Sequence, residues 1–227
     1  MSRTALLLLL SAVLLTPCTR DVQASSPSAD PVPGCPTGAL LAQPPSLGGE
    51  KWDAYVSDTG VHFTRYESLP GSSGSLCALR WWGFNLRDSG AGFTECAENP
   101  MSFVITIYDD AQSQPGTAVC SRAVTATGVP VAIVNSWQLY QYEAILDSCC
   151  VVAGGWISVV GGGGDASCWF LWSSSPVGDD SACQRNPQGL VCGTGLHYRD
   201  LSLCLMDTQT PAGRSTWGGL KSLYHRR

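Results

Sequence analysis

Residues Asp147–Trp172, DSCCVVAGGWISVVGGGGDASCWFLW, bring three cysteines, three tryptophans and four consecutive glycines together. Two readings compete for such a stretch: a metal or redox centre, or a disulfide-stapled core. A zinc site wants two closely spaced ligand pairs, C-x-x-C or similar, backed by histidines. Nowhere in the chain does C-x-x-C occur, and the histidines are only His62, His197 and His225. Thioredoxin-like chemistry needs the same absent motif. Bonding Cys149 to its neighbour Cys150 would strain a short ring, so the two are expected to take different partners. The stretch reads as a staple.

The first residues agree with that reading. Arg3 precedes Ala5–Leu15, an apolar run too short to span a bilayer, and Val22-Gln23-Ala24 offers a signal-peptidase site. Residues 1–24 are therefore expected to be a signal peptide and the protein to be secreted, extracellular or held at the cell surface. Lipid anchoring at Cys18 is disfavoured by Pro17. Of eleven cysteines, ten remain: Cys35, Cys77, Cys96, Cys120, Cys149, Cys150, Cys168, Cys183, Cys192 and Cys204. An even number in an exported chain predicts up to five disulfides. Cys183 and Cys192 close the turn-bearing loop CQRNPQGLVC and are expected to pair; the order of the others stays open. Alternation places Cys77 inward with Leu79 and Trp81 and Cys204 outward, which argues against a bond between them.

Removing residues 1–24 takes two of thirteen basic and one of eighteen acidic residues, leaving a net charge near −6. With no basic stripe and only Lys51 and Lys221 as lysines, nucleic acid and anionic membrane surfaces are excluded as expected partners. No long apolar run follows the leader, so no transmembrane segment is expected. Residues 25–49, with six prolines, read as a linker tethered by Cys35. From Glu50 to residue 208 the pattern changes to short strand-like runs broken by Gly, Ser, Asn and Asp: KWDAYVSD, VHFTRYE, SLCALRWWGFNL, MSFVITIYDD, GTAVCSRAVTA, WQLYQYEAIL, GWISVVG, SCWFLWSSS and DLSLCLMD. The clearest alternation sets Phe103, Ile105 and Ile107 against Val104, Thr106 and Tyr108. These runs predict an all-β, disulfide-rich antiparallel sandwich, jelly-roll or immunoglobulin-like. Residues 209–227 form a separate tail, with Trp217, Leu220 and Tyr224 on one small apolar face.

The succession RWWGFNL, FVITIYDDAQSQPGTAVCS, WQLYQYEAIL, GGWISVVGGGG with CWFLW, and DLSLCLM resembles a recurrent bacterial secreted β-sandwich module, lectin-like or carbohydrate-binding-like, of undefined function. The resemblance covers about Lys51–Asp207. The ending WGGLKSLYHRR is similar to the W-G-x-L-K-x-L-Y tails of some bacterial exported proteins. The chain is richer in cysteine than that module, which leaves its extra bridges without a family precedent.

No catalytic constellation stands out. Gly71–Ser75 lacks the spacing of a nucleophile elbow, and Gly161–Gly164 lacks the G-K-[ST] ending of a phosphate loop. The carboxylates fall mostly in turns and at strand ends, where they are simplest read as solvated. The acidic pairs Asp109-Asp110 and Asp179-Asp180 offer oxygen ligands to a hard cation, and Asp109, Asp110 and Asp165 are the candidate ligands of a structural calcium ion; no other cofactor is expected. Among the tryptophans, Trp156, Trp169 and Trp172 lie in runs apolar on both faces and read as core. Trp82 shares the outward face of Arg80 and is the candidate ligand platform, a flat indole suited to a sugar ring, unless a loop or the N-terminal segment covers it. The expectation is a non-enzymatic binding or adhesion module, with a glycan or a surface protein as partner. The alternative is a structural, disulfide-stapled envelope or extracellular protein. A polysaccharide-acting hydrolase stands third and would require two carboxylates at catalytic separation in a cleft.

Overall fold

The computed structural model describes residues 33–195 and 199–207; the expected signal peptide and the tail lie outside them. Fourteen strands are present among the described residues: β1 (Leu41–Gln43), β2 (Ala54–Val56), β3 (Thr64–Ser68), β4 (Ser73–Asp88), β5 (Phe93–Glu95), β6 (Met101–Asp110), β7 (Pro115–Ala126), β8 (Val129–Val134), β9 (Trp137–Ala153), β10 (Trp156–Gly162), β11 (Trp169–Ser173), β12 (Ser181–Asn186), β13 (Gly189–Thr194) and β14 (Leu203–Met206). They form two packed antiparallel sheets. In the larger, β4 is flanked on one side by β9 and β5 and on the other by β14 and β11, with β8, β1 and β2 at the edges. The smaller runs β13-β12-β3-β10-β6-β7. An antiparallel, disulfide-rich all-β architecture is thus what the strand pattern predicts.

Between the sheets, β6 supplies Phe103, Ile105 and Ile107, β10 supplies Ile157 and Val159, and the larger sheet answers with Leu79, Trp81, Tyr142, Phe170, Trp172, Leu203 and Leu205. At the centre the ring of Trp81 stacks on Tyr142, with centroids 5.7 Å apart, and meets Phe103 edge-on at 4.9 Å. Tyr142 also donates its hydroxyl to Asn85 Oδ1 at 2.9 Å, and burial holds its phenol well above the ordinary range. One inward assignment changes. Between the pairs Leu76↔Cys150 and Ala78↔Ile145, the single residue Cys77 faces four residues of β9. This bulge lets Leu76 share the core with Leu79 and Trp81, and Cys77 bonds to Cys149 across the irregularity instead of joining them.

All ten cysteines among the described residues are paired: Cys35–Cys204, Cys77–Cys149, Cys96–Cys168, Cys120–Cys150 and Cys183–Cys192. Cys120–Cys150 joins the two sheets at the β7 edge. Cys35–Cys204 corrects the linker boundary, because from residue 33 the expected linker 25–49 belongs to the sandwich. Leu41, Ala42 and Gln43 pair with Leu205, Cys204 and Leu203, and Ser46 donates to the Ser174 carbonyl at 2.8 Å. A strand of three residues running into Pro44-Pro45 is too short for alternation to register.

Two small features hold the sheets in register. The W-W-G step needs Gly83 because Phe170 crosses it: a Cβ there would lie 2.3 Å from that ring and 2.5 Å from the Leu171 carbonyl. Gly161 meets the other side of Phe170 and accounts for one member of the glycine run, its Cβ position being 2.4 Å from the Phe170 Cβ. Beside it, buried Asp58 accepts the backbone N–H of Phe170 at 3.0 Å and of Gly60 at 2.8 Å. Burial raises the Asp58 carboxyl above its ordinary value, against the pull of those two amides.

Gly83→Ala is expected to destabilise the fold by about 1–3 kcal/mol through overpacking, read as a shift in the denaturant midpoint. Asp58 binds its proton more tightly in the folded than in the unfolded chain. Its favourable contribution is therefore complete below about pH 4 and is lost as pH rises through the raised folded value. Urea titrations between pH 4 and 7 should show a smaller pH-dependent fall in stability for Asp58→Asn than for the parent.

Candidate functional site

Trp82 is not a platform. Its side chain is 0% exposed, inside a second apolar layer on the outer face of the larger sheet, formed with Phe84, Leu86, Val134, Leu139, Leu171 and Cys204. Cys35 and Ala39 of the N-terminal segment, with Trp52 and Trp137, pack against that layer. The indole N–H donates to Gln141 Oε1 at 3.2 Å. Arg80 is equally committed, donating to the Glu143 carboxylate and the Gly34 carbonyl. Alternation correctly puts Trp82 and Arg80 away from the main core, but that face carries its own cover. Arg80, Gln141 and Glu143 line a groove of about 1340 Å³ between residues 35–39 and β7 that holds no aromatic side chain.

The proposed calcium ligands are not brought together. Asp109 accepts the Thr117 N–H, and Asp110 accepts Trp156 Nε1–H at 3.0 Å and the Ser113 N–H at 3.2 Å, all around the β6–β7 turn. Asp165 lies past the far end of β10, paired with Arg87 at 2.8 Å, and its carboxyl is lowered mainly by hydrogen bonds from Ser167. A different set of acids does converge. Single carboxylate oxygens of Glu67, Asp179 and Asp200 lie within 4.8 Å of one another. Burial first, and then the like charge of Asp200, holds the Glu67 carboxyl well above the usual range; burial also raises Asp200.

The outer face of the larger sheet offers an aromatic shelf that single-strand alternation does not disclose. Trp137 and Leu139 of β9, Phe84 and Leu86 of β4, and Trp169 and Leu171 of β11 all point to this side. Trp52 to Trp137 spans 6.3 Å between ring centroids, Trp137 to Phe93 6.5 Å, and Phe93 to Trp169 6.2 Å. Phe84 lies beneath, 6.1 Å from Trp52 and 6.5 Å from Trp137. Phe93 is 40% exposed, and Trp52, Trp137 and Trp169 are half-buried. The row has covalent support: β5 carries Phe93, and Cys96–Cys168 ties the residue after β5 to the residue before Trp169. The Trp169 indole N–H donates to the Ala166 carbonyl at 3.0 Å, which fixes the ring, and Asp165 of the same loop pairs with Arg87 of β4. Trp81 and Trp172 join the main core as read; Trp156 is buried with Tyr66 and Cys183 on the outer face of the smaller sheet, and Trp169 lies on the shelf. The signal for the shelf was the matched phase of WQL in β9, WGF in β4 and WFL in β11, legible only once these strands are known to share a sheet.

Comparison of the chain with known protein families, curated proteins and solved structures gives no match. Five disulfides fit an oxidising compartment, and no helix among the described residues is long and apolar enough to cross a membrane.

Acrylamide quenching of tryptophan fluorescence separates the two aromatic sets. Trp137→Phe and Trp169→Phe should each reduce the quenchable intensity, whereas Trp82→Phe should leave that intensity unchanged and lower only the unquenched remainder.

Proposed function

We propose that this protein is a secreted or surface-exposed binding module that holds glycan on the Trp52–Trp137–Phe93–Trp169 shelf. The observation that carries the reading is the half-open row of four rings, three of them set on strands, with Cys96–Cys168 pinning the Phe93–Trp169 end. Rings with an accessible apolar surface stack on the C–H face of a pyranose, and a site built on strands loses little conformational entropy on binding. Nearby Glu95 and the Arg87–Asp165 pair supply hydrogen-bonding groups for sugar hydroxyls. The resemblance to lectin-like secreted modules agrees with this reading and adds no site residues of its own. A second reading, a stapled structural protein of the envelope or matrix, draws on the pairing of all ten cysteines and on the edge-to-face packing of several shelf rings against each other.

Titration of the oxidised protein against a polysaccharide and oligosaccharide panel tests the proposal. Binding to at least one glycan class is expected, falling about tenfold or more in Trp137→Ala and Trp169→Ala with the fold retained, as for loss of an aromatic contact worth roughly 1–2 kcal/mol. Absence of binding across the panel supports the structural reading. Binding lost instead in Glu143→Ala, with both tryptophan variants unaffected, moves the site to the neighbouring groove.

A further inference from the structure

The edge of the sandwich where β1, β3, the loop after β11 and the segment before β14 meet gathers three carboxylates. Glu67 is fully buried, Asp200 is 1% exposed, and Asp179 stands exposed at the mouth. Three oxygens within 4.8 Å of one another have a common centre no more than about 2.8 Å from each, so a small inward shift of the side chains brings all three to the roughly 2.4 Å calcium–oxygen distance. The Arg80–Glu143 and Arg87–Asp165 ion pairs lie elsewhere.

A second observation points into the same place. Gln43 is only 1% exposed, its Nε2 donates to Glu67 Oε1 at 2.9 Å, and its own Oε1 is buried with no hydrogen-bond partner among the described residues. A buried amide oxygen left unpaired is unfavourable. The two ends of a glutamine amide have the same shape, and a half-turn exchanges them. That turn exchanges the Gln43 Nε2–H bond to Glu67 for an oxygen–oxygen approach, which is tolerated only when a cation or a proton lies between them, so the turned amide belongs to the ion-bound form and the unturned one to the ion-free form. Ser68 Oγ, which donates to both Asp179 oxygens at 2.9 and 3.0 Å, adds a further neutral oxygen at the rim.

We propose that Glu67, Asp179, Asp200 and the amide oxygen of Gln43 bind one hard divalent cation, calcium. Its ligands come from both sheets. Gln43 belongs to β1 and Asp200 precedes β14 in the larger sheet, while Glu67 belongs to β3 and Asp179 to the loop leading into β12 of the smaller. The ion thus clasps the edge opposite Cys120–Cys150, the disulfide that joins the sheets at β7. Calcium is favoured over magnesium because it accepts an irregular shell of carboxylate and amide oxygens, whereas magnesium demands a near-ideal octahedron and keeps its waters.

The test uses the purified, oxidised protein stripped with a chelator and titrated with CaCl2 or MgCl2, followed by calorimetry and thermal unfolding. One calcium per chain is expected, with a melting temperature raised by roughly 5–10 °C at about 100 times Kd, and a weaker response to magnesium. Glu67→Gln should fold without calcium and lose the calcium-dependent shift, because it removes a buried charge and a ligand together. Asp179→Asn, at the exposed rim, should keep the metal-free melting temperature and bind calcium at least about tenfold more weakly. Absence of both heat and shift in the parent overturns the proposal and assigns the cluster to shared protons. A shift of unchanged size and affinity in Asp179→Asn, with or without a foldable Glu67→Gln, overturns it as well.

Discussion

Strand β4 has no polar face, and most of the architecture follows from that constraint. Between Leu76 and Leu86 one side carries Leu76, Leu79 and Trp81 and the other Trp82, Phe84 and Leu86, all 0–1% exposed. A strand of this kind is stable only at the centre of a sheet covered twice. The smaller sheet covers one side. The N-terminal segment, Trp52, Trp137 and Trp169 cover the other, and Cys35–Cys204 holds that cover down. Burying the three large side chains of the outer face contributes on the order of 5–8 kcal/mol, enough to hold a proline-rich segment that has little periodicity of its own.

The same constraint separates what was legible in the sequence from what was not. Alternation along one strand says which residues share a face, and it did so for Phe103, Ile105 and Ile107 and for Trp82 with Arg80. It cannot say whether a face is solvated, and the reading of Trp82 as a platform failed there. Neighbouring cysteines with separate partners follow from local geometry, and Cys149 and Cys150 reach Cys77 and Cys120. Their identities depend on a four-residue bulge in β9 that no local pattern announces. In β8, VPVAIV, a proline interrupts an otherwise apolar run, so this edge strand escapes notice too. The carboxylate cluster draws on residues 67, 179 and 200, and the aromatic row on 52, 93, 137 and 169; only the topology brings either together.

The covalent and the polar restraints divide the molecule between them. Four disulfides fasten the larger sheet, through its N-terminal cover, the bulge, the β5 loop and the junction with β7. Cys183–Cys192 stays within its hairpin, so no disulfide carries β3 or the loop before β12 to the larger sheet. There the link is Glu67, which accepts Gln43 Nε2–H at 2.9 Å and the Leu201 N–H at 2.7 Å. A carboxylate in that position joins the sheets by directional bonds, at the cost of being buried among other acids.

Acidic residues in this chain serve the backbone more than the solvent. Asp58 accepts the amides of Gly60 and Phe170, Asp200 those of Asp179 and Asp180, Glu67 that of Leu201, and Asp109 that of Thr117. Each of these amides lies where a ladder ends or a loop crosses a sheet edge. A buried amide without an acceptor costs about 1–3 kcal/mol, so a carboxylate that takes two of them offsets a large part of its own desolvation. Turn acids that look solvated in the sequence are therefore, in several places, the acceptors that let long loops pack against the sandwich. Where three such acids meet at one edge, two of them buried, the backbone amides no longer suffice to balance the charge, and that surplus singles out the Glu67 cluster from the other turn acids.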